Sequence, residues 1–216
     1  MHENTIIITA GGIGKRMGGN LPKQFLLLGD TPILMQTIAR FYAFDMSAQL
    51  LVTLPKDWKV FWEELCVEYK FEIPHLLISG GKERYHSIQQ ALKLATGKFV
   101  AVHDGVRPNV SLETIQRCFD SAKTYGSGIP VLEVNESLRE LLPNGKSKAV
   151  IRSNYRSVQT PQVFEKNLLE KAYQLPFHEG ITDDASLVEE AGFDVYLVEG
   201  NIENVKITTP VDLTFK

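Results

Sequence analysis

TAGGIGKRMGGNLPKQF, residues 9–25, begins in the last two residues of the apolar run TIIITA (5–10). A short β-branched run that empties into a loop of glycines and cations is the opening of a strand–loop–helix unit. Glycines there let backbone N–H groups approach an anion closely, and Lys15, Arg16 and Lys23 stand near in sequence. Two familiar phosphate-binding devices fail on spacing. A dinucleotide fingerprint finds Gly12 and Gly14 but Met17 in place of the third glycine. A P-loop finds Gly14-Lys15, with Thr9 in place of its first glycine and Arg16 in place of the metal-binding hydroxyl. With Gly11, Gly12, Gly14, Gly18 and Gly19, the stretch still reads as an anion loop, one into which a triphosphate could bend.

Outward from that loop, strand-like runs alternate with helical stripes. TPILMQTIARFYAF (31–44) carries Leu34, Ile38 and Phe41 on one face, with Pro32 suited to a first turn. QLLVTLP (49–55) reads as a strand and 57–69 as a helix capped by Asp57. HLLISGG (75–81), a helix from Ser87 to Ala95, and the strand KFVAVHD (98–104) come next. A helix capped by Ser111 and stopped by Gly126 precedes a strand near 128–132. The alternation predicts one α/β domain spanning 1–216, Rossmann-like, with a mostly parallel sheet. Ligands of such sheets bind beyond the carboxyl ends of the strands. AGGIGKR, SGGKERYHS and HDGVRP all fall there.

The rhythm breaks at 133–158. Pro143-Asn144-Gly145 is a strong turn signal, and a protruding β-hairpin arm is the reading. An arm too small for its own core is expected to pack on an identical subunit. QTPQVF (159–164) returns the chain to the body. A helix capped at Thr182 or Asp183 runs to Gly192, DVYLVEG forms the last strand, and NVKITTPVDL closes the domain.

The 216 residues are 44% hydrophobic, enough for a core, and their net charge of −3 gives no general attraction to nucleic acid or membrane. No stretch approaches the ~20 apolar residues of a membrane span, and the chain reads as soluble and cytoplasmic. Cys66 and Cys118, the two cysteines, sit in apolar stripes and read as core.

AGGIGKRM followed by PKQF resembles the opening of the 2-C-methyl-D-erythritol 4-phosphate cytidylyltransferases. GGKERYHS (80–87), HDGVRP (103–108), TPQVF (160–164), TDDAS (182–186) and NVKITTPVDL (204–213) fall in that family's order, so the resemblance covers the whole chain. It implies CMP transfer from CTP to a polyol phosphate, with Mg2+ held mainly by the triphosphate; the sequence itself shows no carboxylate cluster to hold a metal alone, and Asp104 is the one strand-end candidate. It also implies that Arg16 and Lys23 face the α-phosphate and that Lys15 holds the β- and γ-phosphates. The CTP side would include Ala10, Gly11, Gly12, Gly14, Gly80, Gly81, Ser87, Asp104 and Gly105. Asp104, Arg107, Ser137, Thr160 and Thr182 would meet the acceptor, whose phosphate Arg152 and Lys206 would position. Arg152 would reach a neighbouring subunit's site from the arm of a homodimer. Arg156 has no matching role, and His103 is a packed residue rather than a base. Where the family shows Asp-Thr in the arm, this chain has Glu136-Ser137.

The alternative acceptor is ribitol 5-phosphate, and a more distant enzyme alternative is a sugar-1-phosphate nucleotidyltransferase. From another class, a non-catalytic nucleotide-binding regulator has no need of cations at both phosphates.

Overall fold

The computed structural model describes residues 2–12 and 21–214; the expectations for Gly14, Lys15 and Arg16 fall outside that range. Strand β1 (Asn4–Thr9) is followed by a small antiparallel pair, β2 (Leu27–Leu28) and β3 (Thr31–Pro32). The pair turns at Gly29, whose φ of +64° suits a residue without Cβ. Helix α1 (Ile33–Phe44) starts just after Pro32, which occupies the cap position rather than the first turn. Strand β4 (Gln49–Leu54) and helix α2 (Lys59–Glu68) follow. Asp57 does not cap α2: Pro55 starts a 3-10 turn over Lys56–Trp58, which absorbs Asp57 and delays the helix.

Strand β5 (Leu76–Ser79) leads into α3 (Arg84–Leu92), which begins three residues before the expected Ser87 and ends before Ala95. Strand β6 (Phe99–Asp104) and α4 (Leu112–Tyr125) come next. The α4 ends are as expected. Ser111 Oγ accepts the Thr114 N–H at 3.0 Å, and Gly126 stops the helix with a φ of +90°. Strand β7 (Ser127–Glu133) is followed by a hairpin, β8 (Arg139–Leu141) and β9 (Ser147–Ala149), turned through Gly145 at φ +76°. Within the span read as the arm, β10 (Arg156–Val158) is already back on the main sheet, paired with β7. Strand β11 (Gln162–Glu165), helices α5 (Lys166–Ala172) and α6 (Asp184–Glu190), strand β12 (Leu197–Glu199) and a 3-10 turn (Pro210–Thr214) follow. Asp183 caps α6 through a reciprocal box with Ser186.

The main sheet runs β5-β4-β1-β6-β11-β7-β10, with β12 beside β7. The strands β5, β4, β1 and β6 are mutually parallel, as expected. The far half is mixed. The chain returns from the arm with no crossover helix, so β11 lies antiparallel between β6 and β7. Between Val158 opposite Val131 and Val163 opposite Gly128, the returning strand carries two surplus residues. That bulge turns Gln159 and Thr160 inward, where both are buried.

Alternate strand residues feed opposite layers. Ile6, Ile8, Val52 and Ala101 pack with α1, α2 and α4 through Leu34, Phe41, Trp62 and Phe119. Ile7, Leu51, Val100 and Val102 pack with α3, α5 and α6 through Ile88, Leu169 and Leu187. Burial on both faces explains why these strands read as continuous apolar runs. Cys118 is buried and Cys66 half-buried in the α1–α2–α4 layer, and burial pushes the Cys66 thiol up to about 11.

Candidate active site

The carboxyl ends of β1, β4, β5 and β6 open onto two adjoining cavities. The first, about 340 Å³, is lined by Ala10, Gly11, Gly12, Lys23, Gly81 and Ser87 from the expected nucleotide side. The second, about 320 Å³, is lined by Arg107, Thr160 and Thr182 from the expected acceptor side. Arg84, Asp104 and Lys206 border both.

Asp104, the last residue of β6, is the hub. Its Oδ2 lies 3.0 Å from Lys206 Nζ and 3.2 Å from Arg107 Nε, and its Oδ1 lies 3.8 Å from Arg84 Nε. Burial alone would push this carboxyl up. Arg84, Lys206 and Arg107 together outweigh it and hold Asp104 well below the usual carboxylate range. Three cations then share Asp104 and one further carboxylate, the buried Asp184, which is 2.6 Å from Arg84 Nη2. The surplus positive charge sits where the cavities meet, which suits a polyanion.

Each lining group is set by its own local chemistry. The turn over Lys23–Phe25 is anchored by Phe25, buried with ring centroids 5.6, 5.2 and 6.1 Å from Trp58, Phe61 and Trp62. That anchor aims Lys23 Nζ at the Ile207 carbonyl, 2.9 Å away, and Gln24 Nε2 at the Ala10 carbonyl, 2.7 Å away. Ser87 Oγ accepts the Gly81 N–H at 2.9 Å and donates to the Glu83 carbonyl, so it shapes the β5–α3 turn from inside α3. A Cβ on Gly81 would fall on the Cβ of His86, so the turn closes only around glycine. Gly80 packs against Ser87 Oγ and the Leu54 carbonyl, and Gly105 beneath Thr9 and Ala10 against Leu34.

His103 is wholly buried and edge-on to Phe41. Thr160 Oγ accepts the Asp104 N–H and lies 3.1 Å from His103 Nδ1, while His103 Nε2 is 3.0 Å from the Arg107 carbonyl. A carbonyl only accepts, so Nε2 carries the proton and Nδ1 accepts from Thr160. Burial pushes this imidazole down to about 4. His103 is thus a neutral strut under the hub.

The C-terminal segment completes the wall. Ile207 N–H donates to the Val106 carbonyl, Arg107 Nη1 to the Asn204 carbonyl, and the buried Asn204 side chain to the Thr160 carbonyl. Together these contacts seat Lys206 over Asp104. Arg152 and Ser137 are exposed near the arm and border neither cavity; Arg152 Nη1 donates to the Asn135 carbonyl. Arg156 is exposed and, among the described residues, donates to the nearby carbonyls of Ser153 and Tyr155.

Residues 4–216 match the family described as 2-C-methyl-D-erythritol 4-phosphate cytidylyltransferase. The chain belongs to that family. A protein of this name from Bacteroides fragilis is 51% identical over 210 residues, covering 97% of this chain and 95% of that one. Another from Porphyromonas gingivalis is 48% identical, covering 96% and 93%. The crystal structure of the Thermus thermophilus protein of that name superposes with a TM-score of 0.76 at 31% identity, covering 96% and 94%. The α/β fold expected is that of the family, with parallel core strands and a small antiparallel hairpin, in a sheet that is mixed where a mostly parallel one was expected.

Sequence reasoning missed Arg84, Gln24 and Lys82. All three stand inside quoted motifs, in GGKERYHS and PKQF, and all three line the first cavity. Their signal was position: each closely follows a glycine turn or an assigned cation at a strand end.

Proposed function

We propose that this chain transfers CMP from CTP to 2-C-methyl-D-erythritol 4-phosphate, giving CDP-methylerythritol and pyrophosphate in non-mevalonate isoprenoid precursor synthesis. The observation that carries the reading is the Asp104–Arg84–Arg107–Lys206 cluster at the join of two cavities, in a chain of this family. An acceptor phosphate oxygen attacks the α-phosphorus. The bond from that phosphorus to the bridging oxygen of the β-phosphate breaks, and pyrophosphate leaves with its electron pair. The nucleophile is already an anion, so no base is required. This fits a site whose histidine is buried, neutral and hydrogen-bonded at both nitrogens. Catalysis is then positioning and charge stabilisation.

The nucleotide occupies the first cavity. Ala10, Gly11, Gly80, Gly81 and Ser87 frame the cytosine pocket, and Gly12 offers backbone to the triphosphate. Lys23 and Arg16 face the α-phosphate, with Gly14 and Lys15 on the β- and γ-phosphates; Gly105 leaves room for Ala10. The acceptor occupies the second cavity, against Asp104, Arg107, Thr160 and Thr182, with Lys206 on its phosphate. Ser137 and Arg152 come from the arm of a second copy in a homodimer.

Among the described residues no group of three or more His, Cys, Asp or Glu side chains gathers as a metal cage. Asp104 is the carboxylate at the join, and its oxygens are already shared by cations. A Mg2+ held mainly by triphosphate oxygens, with Asp104 beside it, fits this donor set; when bound it would offset phosphate charge. No helix among the described residues is long and apolar enough to cross a membrane, and a cytoplasmic setting suits soluble substrates.

The test is pyrophosphate release from CTP and Mg2+, with methylerythritol 4-phosphate and ribitol 5-phosphate offered in parallel. A preference for the first above ~10-fold in kcat/KM, or ~1.4 kcal/mol, is expected. The reverse preference would reassign the acceptor, and CTP binding without turnover would make the chain a regulator.

A further inference from the structure

Arg84 borders both substrate cavities and a third, about 300 Å³, on their flank. We propose that Asp184 is a positioning residue for nucleotidyl transfer: it pins Arg84 as the wall between nucleotide and acceptor, and through Arg84 it fixes the Asp104 carboxylate. This rests on the cytidylyltransferase reading of the site.

Asp184 is 0% exposed, the first residue of α6, and 100 residues from Arg84 in sequence. A bare carboxylate in that position would be costly. Both of its oxygens are used. Oδ2 accepts from Arg84 Nη2 at 2.6 Å, and Oδ1 accepts the Tyr173 hydroxyl at 2.6 Å. Tyr173 is itself held, stacked on Tyr85 with centroids 4.9 Å apart at 26°. The relay Tyr173–Asp184–Arg84 thus ties the α5 end, the α6 start and the α3 start to the end of β6.

Arg84 has two carboxylates to choose between. It donates to Asp184 at hydrogen-bond distance and stands off from Asp104 at 3.8 Å. Without charge on Asp184, its remaining strong partner is Asp104. Arg84 would then close on Asp104 Oδ1 and turn the carboxylate that Lys206 and Arg107 hold through Oδ2, shifting the two cations that face the acceptor. Burial opposes charge on Arg84, but Asp184 and then Asp104 more than offset it and hold the guanidinium charged.

A merely structural α6–α3 clamp would predict losses independent of Arg84. Positioning through Arg84 predicts coupled losses. The experiment is a cycle of Asp184→Asn, Arg84→Met and the double variant. Pyrophosphate release would be measured with CTP and methylerythritol 4-phosphate varied separately, beside equilibrium CTP binding and thermal midpoints. Asp184→Asn should lower kcat/KM for the acceptor by about 20-fold or more, while CTP affinity changes less than about threefold. The double variant should lie within about twofold of Arg84→Met alone.

Additive losses, or Asp184→Asn within about twofold of the parent, would overturn the inference. If Asp184→Asn does not fold, Tyr173→Phe keeps the ring stack and removes one donor from Asp184. It should cost about three- to tenfold in the parent and nothing in the Arg84→Met background. Equal costs in both backgrounds would again refute it. A parent protein that releases no pyrophosphate would fail the functional reading itself. An active parent with an unperturbed Asp184→Asn would fail only this inference.

Discussion

The Lys206 ammonium lies 3.0 Å from the Asp104 carboxylate, yet the Lys206 side chain is 45% exposed and Asp104 is nearly buried. The acid is fixed and the cation is free to turn outward. A phosphate entering either cavity can therefore draw Lys206 from its resting partner, while Arg107 and Arg84 keep Asp104 paired.

Lys206→Ala should accordingly separate activity from stability. A half-exposed ion pair contributes about 0–1 kcal/mol, and Asp104 keeps two other cations, so the denaturation midpoint should hardly move. The loss in kcat/KM should be about 10²–10³, as for removal of a donor aimed at developing charge. Steady-state kinetics beside a urea melt measure both. A stability loss that matches the activity loss would refute the separation.

His103 gives the fold a pH dependence whose sign is fixed. Its pKa is depressed to about 4 from an ordinary 6.5, so between those values the unfolded chain binds the proton and the folded chain does not. Stability is therefore greatest above pH 6.5 and falls as pH drops towards 4, by up to about 3 kcal/mol from this group. Urea unfolding at pH 7, 5.5 and 4.5 should show that decline, and it should be shallower in His103→Gln. An unchanged slope in the variant would place the acid sensitivity elsewhere.

Much of this fold was legible because local rules and global fold agree. The cap at Ser111 and the stop at Gly126 each follow from a few adjacent residues. The strand ends also converged as the alternation required. What escaped depends on distance in sequence. Arg84 and Asp184 are 100 residues apart, and nothing in either neighbourhood announces the other. The antiparallel insertion of β11 escaped because QVF reads alike in either direction. The span 166–172 carries Leu168, Leu169 and Ala172 at helical spacing, but fewer than two turns of pattern gave no separate signal for α5.

Gly81→Ala should damage the nucleotide side selectively. The added methyl would land on His86 at the start of α3, with the His86 carbonyl carbon 3.1 Å away, so the β5–α3 turn must open. That movement breaks the Gly81 N–H bond to Ser87 Oγ and reshapes the base edge. The expected result is an increase of about tenfold or more in KM for CTP, with a smaller change for the acceptor, consistent with about 1.4 kcal/mol of lost binding. Equal effects on both substrates would show that Gly81 acts on the whole cleft.

The arm supplies the sharpest test of assembly. Arg152 and Ser137 are exposed and border neither cavity of their own chain, although the proposed reaction assigns both to the acceptor. If Arg152 serves a partner's site, two dead variants should complement each other. In a mixed dimer of Arg152→Ala and Lys206→Ala, the first protomer keeps Lys206 and receives an intact Arg152 from the second. One site is thereby restored and the other has lost both cations. Random reassortment at equal concentrations makes about half the dimers mixed, each with one working site, so about a quarter of the parent activity should return. Mixing after brief denaturation, with dimer formation followed by sedimentation, measures it. No recovery in a sample that does contain mixed dimers would place Arg152 in its own protomer's site, and a fully active monomer would remove the arm from the mechanism.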